Sequence, residues 1–311
     1  MATMAAVAPV LSFIPTADLM PEPGAPAEGE VFAIAPHGVR LNVADTPPAR
    51  AAAGEFTSGF EEGTLQFFDA VLPECRRMVD FGGFIGFTAM YAAAQGVAVE
   101  VFEPSPTNAG MLAANLAANP RLAGRVRLHR HAVGARDARL PLYAKAHADS
   151  GSSLFELVQR GAVLRRREEA VAAVRAAAAV LDEVGVCPQT LLKIDIEGAE
   201  YEVVPAIAGQ LARHRPFVHL SFHLFNIVRG ADEYLNQVAR LRGALAIAEA
   251  VAPYRHMYFH TEQGWTRIDR GDRLSLLAQY LLKPKPVPRI ATAQYGFTDA
   301  LALSEVALPL G

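Results

Sequence analysis

The 311-residue sequence contains only two cysteines, Cys75 and Cys187. Two cysteines are too few for a disulfide framework or a cysteine-based metal site, so we expect a protein of the reducing cytoplasm. The formal net charge of −3 gives no support for a nucleic-acid-binding surface. No apolar run approaches the length of about 18 residues that a membrane span requires. These absences predict an ordinary soluble globular protein without a nucleic-acid or membrane partner.

Lysine is also scarce. Of the 29 basic side chains, 25 are arginines and only four are lysines. One of these lysines, Lys193, lies inside the segment LLKIDIEGAEYEVV at positions 191–204. Lysine carries a compact ammonium group and is not interchangeable with the planar guanidinium of arginine. We therefore expect that the geometry of this position requires Lys193.

The same segment places charges at every second position. Lys193, Asp195 and Glu197 alternate with apolar residues, and a strand projects alternate side chains to opposite faces. One interpretation is an edge strand with its charged face in water. The other interpretation is a buried strand whose charges face a ligand. The apolar start of the segment, Leu191 and Leu192, favours it. Buried charges are costly unless they are paired or coordinated, so the second interpretation predicts a binding site.

Strands and helices alternate along most of the chain. A short hairpin is predicted over VFAIAPHGVRLNV (31–43) and a helix over residues 59–74. The predicted strands that follow are CRRMVDFGG, VAVEVFEP, VRLHRHAVG, LLKIDIEG and RPFVHLSFHLF. Helical segments separate most of them. This alternation predicts an α/β protein with a doubly wound, mostly parallel sheet.

A glycine-rich turn, DFGGFIG (80–86), follows the first strand of this series. Glycines allow the backbone to turn tightly and to approach a ligand closely. Glu103 ends the next strand, 21 residues after Gly82. This is about the spacing at which an acidic side chain accepts hydrogen bonds from ribose hydroxyls. The alternative is an ordinary tight turn between a strand and a helix.

Asp80 stands at the entrance of this turn. A dinucleotide site needs hydrogen-bond donors for its pyrophosphate, whereas an acid suits an ammonium group. S-adenosylmethionine carries a ribose and an ammonium group but no phosphate. Asp80 therefore favours S-adenosylmethionine over a dinucleotide as the ligand.

Together, these motifs resemble those of the FkbM family of S-adenosylmethionine-dependent methyltransferases. DFGGFIG resembles the family's D-x-G-A-N-x-G, VFEPSPTN resembles F-E-P-x-P-x-N, and LLKIDIEGAE resembles K-I-D-x-E-G-A-E, the most specific of the three. HAVG (131–134) and GSSLF (151–155) match further family positions. The resemblance extends from about Gly59 to His223 and, more weakly, to about residue 270.

The resemblance implies a class I methyltransferase (Rossmann-like) fold, with a seven-stranded sheet whose last strand is antiparallel. It implies a methyltransferase domain over residues 59–282, between an N-terminal arm with a short hairpin (1–58) and an irregular, proline-rich tail (283–311). Local composition favours a helix over residues 156–185. The family pattern instead makes residues 171–177 extended, and we adopt it because tertiary context often overrides propensity.

Functional residues are expected where ligands of open parallel sheets bind, at the carboxyl ends of the strands, and at positions that match the family motifs. Contacts with S-adenosylmethionine are expected from Asp80, Gly82, Gly83, Phe84, Gly86, Glu103, Ser105, Ala132 and Asp195. Catalytic roles are expected for His223, Asp195, Lys193 and Glu197. His223 is the first candidate for general base, because an unperturbed histidine has a pKa of about 6.5. Lys193 is expected to neutralise and orient Asp195.

Three positions depart from the family pattern. Gly83 and Phe84 replace the usual Ala-Asn, which removes one polar contact to the cofactor, and Ser221 stands where the family often has Glu. His219 is expected to be a packed structural histidine, and helix capping is the structural interpretation of Glu200.

The expected reaction is methyl transfer to a hydroxyl of a sugar or small natural product. Transfer to nitrogen is one alternative, and a non-catalytic scaffold that binds S-adenosylmethionine is another. No metal is assigned, although Asp195, Glu197 and His223 offer suitable ligand types for a metal-assisted variant. The identity of the acceptor and the oligomeric state are left open.

Overall fold

A computed structural model describes residues 30–59, 61–144, 150–154, 158–159, 162–163, 167–223, 233–261, 264–268 and 297–310. The strands are β1 (Val31–Ile34), β2 (Leu41–Ala44), β3 (Arg77–Phe81), β4 (Ala98–Phe102), β5 (Val126–His129), β6 (Ala132–Gly134), β7 (Ala138–Ala144), β8 (Val158–Gln159), β9 (Ala162–Val163), β10 (Arg167–Ala176), β11 (Thr190–Ile194), β12 (Phe217–Ser221), β13 (His256–Thr261), β14 (Gly264–Arg267) and β15 (Phe297–Ser304). The α-helices are α1 (Pro47–Thr57), α2 (Glu62–Val71), α3 (Phe87–Ala94), α4 (Pro106–Ala117), α5 (Pro120–Ala123), α6 (Ala177–Val184), α7 (Glu200–Ala206), α8 (Ala208–His214) and α9 (Glu233–Val251). The two 3₁₀ turns are Pro36–Gly38 and Leu72–Glu74.

The central sheet of the described residues has eight strands in the order β14-β13-β15-β12-β11-β3-β4-β5. The strands from β12 to β5 are parallel, whereas β15 is antiparallel to both of its neighbours, β12 and β13. The predicted α/β fold with a mostly parallel sheet and an antiparallel strand is therefore confirmed. The sheet has one strand more than the seven implied by the resemblance, because β14 extends the edge as a hairpin with β13.

The two faces of this sheet pack against different helices. Leu192 and Leu220 belong to a core with α6 to α9, whereas Leu191 and Phe217 belong to a core with α1 to α4. Strands covered on both faces are buried along their whole length, as expected for parallel strands of an α/β protein. Lys193 has the same orientation as Leu191 and so lies on the α1–α4 face.

The alanine-rich strand β10 lies in a separate three-stranded sheet, in the order β6-β10-β7. The expectation that residues 171–177 are extended is confirmed through Ala176, where β10 ends and α6 follows. Ala172 and Val174 of β10 pack against Ala132 and Leu142 in a small core of their own. This packing and the strand pairing outweigh the helical propensity of the segment.

The C-terminal region differs from the expected irregular tail. The prediction is wrong for β15, which is inserted in the central sheet between β12 and β13. The prolines that suggested an irregular tail, Pro284, Pro286 and Pro288, all precede this strand in the sequence. Leu301 and Leu303 are fully buried, so the sheet extends beyond residue 282.

The predicted N-terminal hairpin is confirmed as β1 and β2 around the turn Pro36–Gly38. Residues 1–29 of the predicted arm lie outside the described residues. Leu41 and Val43 of the hairpin and Phe56 of α1 join the core on the α1–α4 face. None of the helices in the described ranges combines the length and apolarity of a membrane span.

Candidate active site

A cavity of about 610 Å³ opens at the carboxyl ends of β3, β4, β11 and β12. Ligands of open α/β sheets bind outside the carboxyl ends of the strands. The residues predicted from the sequence that line it are Gly82, Gly83, Phe84, Glu103, Ala132, Lys193, Asp195, Glu197 and His223. The cavity therefore contains all four residues assigned a catalytic role.

The glycine turn forms one wall of the cavity. Gly82 and Phe84 have positive φ angles of 89° and 48°. A Cβ atom at Gly82 would lie 1.8 Å from the backbone oxygen of Asp195, so only glycine fits there. Gly86, with φ of 92°, starts α3 and packs against Leu112 without lining the cavity. Its role is therefore to shape the turn.

Glu103 lies where the ribose contact is predicted. Its carboxylate accepts hydrogen bonds from the backbone N–H groups of Phe84, at 2.8 Å, and Ser105, at 2.9 Å. Burial raises the pKa of Glu103 to about 7, although these two hydrogen bonds act in the opposite direction. A carboxylate offers about four acceptor positions, so capacity remains for the two hydroxyls of a ribose. This donor and acceptor arrangement fits S-adenosylmethionine.

Ser105 does not line the cavity, in contrast to its predicted cofactor contact. Its hydroxyl caps α4 by accepting from the Asn108 N–H at 3.2 Å, and it donates to Glu169 at 2.7 Å. Only 1% of Ser105 is exposed. The side chain is therefore occupied in starting the helix behind the site.

Asp80 is also placed differently from the prediction. Its carboxylate is fully buried and does not line the cavity. One oxygen accepts from Lys193 Nζ at 3.1 Å and the other from the Thr88 hydroxyl at 3.0 Å. The expected direct contact with the ammonium of the cofactor is therefore corrected, because Asp80 holds Lys193 beneath the glycine turn.

Lys193 connects the buried and exposed parts of the site. Its Nζ also donates to the Gly82 carbonyl at 3.1 Å and lies 3.6 Å from Asp195 Oδ2. Burial opposes the positive charge, but Asp80, Asp195 and Glu61 outweigh it and raise the pKa of Lys193. For Asp195, burial is outweighed by the charges of Lys193 and His223, which lower its pKa. The predicted neutralisation of Asp195 by Lys193 agrees with this geometry.

His223 lies among three carboxylates. Its Nδ1 is 2.9 Å from Glu200 Oε1, and its Nε2 is 3.3 Å from Glu197 Oε1 and 3.5 Å from Asp195 Oδ1. Burial opposes the imidazolium, but Glu200, Glu197 and Asp195 outweigh it and raise the pKa of His223 to about 10. The expectation of an ordinary pKa near 6.5 is therefore wrong.

Glu200 contacts His223 and is absent from the residues assigned from the sequence. Its carboxylate accepts from the backbone N–H of His223 at 2.6 Å and from that of Gly198 at 2.8 Å, in addition to its contact with His223 Nδ1. The helix α7 has Ala199 at its N-cap, without a side-chain cap. Glu200 therefore orients the imidazole instead of capping the helix. The family motif E-G-A-E contains this residue and was the available signal.

Glu197 has a left-handed backbone with φ of 52°, and the Ser153 hydroxyl donates to its carbonyl at 2.7 Å. This contact joins the segment near residue 151 to the LLKIDIEGAE motif. One ligand atom each from Asp195, Glu197 and His223 lies within 4.8 Å of the others, so these side chains could together hold a metal ion. Ser221, at the departure from the family pattern, hydrogen-bonds to Asp195.

The cavity also receives residues from outside the family motifs, namely Ala52, Glu55, Phe56, Gly59, Glu61, Gly63, Thr64, His260 and Ala300. No motif in the sequence points to them. Burial and the charge of Asp195 raise the pKa of Glu61. His219 also lines the cavity, is 1% exposed and has its Nε2 3.2 Å from the Thr64 hydroxyl, so its structural role stays a prediction.

Comparison with known protein families gives one match. The family model of the FkbM methyltransferase domain matches residues 80–249, more than half of the chain. A search among curated proteins finds no significant match. The family model covers the glycine turn, Glu103, the LLKIDIEGAE motif and His223. It does not cover the cavity-lining residues between positions 52 and 64.

Solved structures show distant similarity. Methyltransferase FkbM from Methylobacillus flagellatus KT has 15% identity and a TM-score of 0.40, over 84% of this chain and 56% of that chain. Cofactor-bound Rv0187 from MTB has 15% identity and a TM-score of 0.40, over 85% and 92%. The O-methyltransferase TomG from Streptomyces achromogenes, involved in tomaymycin synthesis and solved in complex with SAM, has 14% identity and a TM-score of 0.38, over 85% and 92%.

The family match, the parallel sheet and the cavity at its carboxyl edge lead to one assignment. The chain belongs to the FkbM methyltransferase family and is an S-adenosylmethionine-dependent methyltransferase with a class I fold.

Proposed function

We propose that this methyltransferase transfers the methyl group to a hydroxyl oxygen of a small molecule or sugar. The observation that carries this proposal is His223, whose Nδ1 is held by Glu200 at 2.9 Å while its Nε2 lies beside Asp195 and Glu197 in the cavity. An oxygen acceptor must lose a proton as it is methylated, and an oriented imidazole can receive it. A neutral amine needs less help of this kind.

The cofactor would be held mainly by the glycine turn and the end of β4. Glu103 would accept hydrogen bonds from the ribose, the backbone of Gly82 and Gly83 would allow close approach, and Ala132 would line the same cavity. When bound, S-adenosylmethionine supplies an electrophilic methyl group on a sulfonium, which becomes a neutral thioether after transfer. The protein therefore has to align the acceptor and manage one proton.

The proton of the acceptor hydroxyl would pass to Nε2 of neutral His223. The resulting imidazolium donates from Nδ1 to Glu200 and is stabilised by Glu197 and Asp195. These carboxylates favour the protonated ring so strongly that His223 is largely charged in the free protein at neutral pH. The positive charge of the bound cofactor would lower this pKa by repulsion and so help to free the base.

The test is the pH dependence of kcat/KM with labelled cofactor and a panel of hydroxyl acceptors. If neutral His223 is the base, kcat/KM rises with pH well above neutrality and levels off near or below pH 10. Glu200→Gln removes the largest charge that raises this pKa, so the rising limb should move to lower pH. The plateau should fall by about tenfold or more, because the imidazole becomes a weaker base. His223→Ala should lower kcat by about 10²–10⁴-fold and remove the limb.

The controls separate the alternatives. S-adenosylhomocysteine should bind both variants within a few fold of the wild type in calorimetry. If the rising limb of the pH profile of kcat/KM is unchanged in both variants, the base lies elsewhere or the acceptor is a nitrogen. Binding of cofactor without transfer to any acceptor would favour the scaffold. Loss of activity with a chelator, restored by a divalent metal, would make Asp195, Glu197 and His223 metal ligands.

A further inference from the structure

Phe84 holds a backbone conformation that its side chain disfavours. Its φ angle is 48°, in the left-handed region, where a bulky apolar side chain is rare. The loop requires this conformation, because Gly82 precedes it at φ of 89° and the Phe84 N–H donates to Glu103 at 2.8 Å. Asparagine, which the family motif has here, tolerates the left-handed region better. The backbone geometry therefore explains the loop but does not explain why the residue is phenylalanine.

Phe84 lines the cavity, together with Phe56 of α1 and Phe87 of α3. We call these three residues the aromatic wall. The rings of Phe56 and Phe87 have centroids 5.1 Å apart, and each residue is only 6% exposed, so they support each other. Phe84 packs against the same core but remains partly exposed. It is therefore the member of the wall with most surface left for a ligand.

The aromatic wall differs chemically from the charged part of the cavity. Glu103, Lys193, Asp195, Glu197 and His223 offer charges and hydrogen bonds, whereas the wall offers only apolar ring surface. The ribose and the amino-acid end of the cofactor need polar partners, which the aromatic wall does not supply, so adenine is the part of the cofactor that could compete with the acceptor for the wall. An aromatic ring gains most from an offset-stacked or edge-to-face partner that is itself a flat ring.

We infer that Phe84 is a specificity-determining residue of the acceptor subsite, and that the acceptor presents a planar, unsaturated ring to the aromatic wall beside the hydroxyl that is methylated. This inference rests on the proposed transfer to a hydroxyl and narrows its substrate class to phenol-like acceptors. Conformational strain at functional positions persists where the surrounding structure enforces it. Here Glu103 and the glycines enforce the backbone, and the ring serves the ligand.

The experiment compares two probes that differ in planarity, 2-naphthol and its saturated counterpart decahydro-2-naphthol. Their binding to the full-length protein is measured by calorimetry with saturating S-adenosylhomocysteine. The wild type should bind 2-naphthol at least about tenfold more tightly. Phe84→Leu, which stays apolar but loses the flat ring, should remove this preference. Phe84→Tyr should keep it, and so should the control Tyr234→Leu, which changes an exposed aromatic residue outside the cavity.

Two further measurements test whether the loss of the preference comes from a disturbed structure instead of a lost contact with the probe. Phe84→Asn should lose the preference while its unfolding temperature stays within a few degrees of the wild type, because relief at the backbone offsets lost packing. The affinity for S-adenosylhomocysteine should stay within about threefold in every variant. The inference is overturned if the wild type binds both probes equally, or if Phe84→Leu weakens S-adenosylhomocysteine instead, which would assign the ring to the cofactor.

The binding measurements need no turnover. A preference for 2-naphthol in a protein that methylates no hydroxyl would support the aromatic wall and reject the proposed function. Transfer to hydroxyls without any preference for a planar ring would support the proposed function and reject the role of the aromatic wall.

Discussion

Among the histidines that lie beside carboxylates, His223 lies in the cavity and His37 lies near the surface. In the site pair (His223 and Glu200), the carboxylate is fully buried and lies 2.9 Å from the imidazole Nδ1. In the hairpin cluster (His37, Glu62 and Asp69), the carboxylates lie 3.1 and 2.7 Å from the ring nitrogens but are 48% and 41% exposed. The hydrogen bonds are similar, and exposure to water is the main difference.

This difference separates a functional arrangement from a structural one. A hydrogen bond to Asp69 is the largest cause that raises the pKa of His37, and the carboxylates around His223 raise its pKa to about 10 even against the effect of burial. A raised histidine pKa is therefore present in both regions and does not by itself identify a site. The site pair is distinguished by its position in a cavity, where low polarity strengthens each charge interaction.

The largest expected effect comes from removing the cation beneath the cavity. Lys193→Met leaves the buried carboxylate of Asp80 without its ion pair and should lower the free energy of unfolding by about 3–5 kcal/mol. Urea denaturation measures this change. The surface counterpart Arg50→Met, which breaks an exposed pair with Asp45, should change the free energy of unfolding far less.

A double variant tests the cause. Asp80→Asn combined with Lys193→Met removes both charges of the pair and should recover part of the lost stability, since the fully buried carboxylate of Asp80 no longer lacks a partner. If Lys193→Met alone costs as little as the Arg50 variant, the ion pair does not hold the site together.

A third histidine sharpens the comparison, because it is buried without a carboxylate in contact. Burial and the charge of Lys193 lower the pKa of His219 to about 3, whereas the unfolded chain keeps a value near 6.5. Between these values the unfolded state binds more protons, so stability falls as the pH falls below 6.5. We expect a loss of about 2 kcal/mol from His219 between pH 6.5 and pH 5.

The measurement compares urea denaturation of the wild type with that of His219→Gln at both pH values. Trp265, the single tryptophan of the chain, has its ring centroid 6.0 Å from that of His219 and reports local unfolding by fluorescence. Glutamine does not titrate, so the variant should lose less stability on acidification. Parallel pH dependence in the two proteins would refute this assignment.

The smallest effect is expected at the hairpin cluster. His37→Asn keeps a residue that tolerates the positive φ of 45° but breaks the contacts with Glu62 and Asp69. Exposed ion pairs contribute little, so stability should fall by less than about 1 kcal/mol and kcat should stay within twofold. A large loss of kcat would show that the hairpin communicates with the cavity and would weaken the distinction drawn between the two regions.

The sequence predicts the polar floor of the site because the motifs lie at the carboxyl ends of parallel strands, which converge in space. Asp195, Glu197 and His223 could therefore be placed together before any coordinates were known. The roles of Asp80 and Glu200 could not be predicted, because the pattern of acidic residues does not show which carboxylate lies beneath the glycine turn and which contacts His223. The pKa of His223 depends on that arrangement and was missed for the same reason.

The parts of the fold that were not predicted lie outside the motifs in the sequence. Phe56 and Glu61 reach the cavity through tertiary packing of the segment before β3, and a single sequence carries no signal for such contacts. β15 was missed because the prolines before it dominate the local composition. Conversely, the extended β10 was predicted only from the family pattern, since its alanines alone favour a helix.

The position of β15 has a consequence for protein synthesis. During translation, β12 and β13 emerge before β15, and the strand that must lie between them is not yet available. Until residues 297–304 leave the ribosome, both earlier strands keep an open edge that can pair wrongly with other chains. We expect chaperone binding to nascent chains to persist until this last strand is released, and the sheet to close only then.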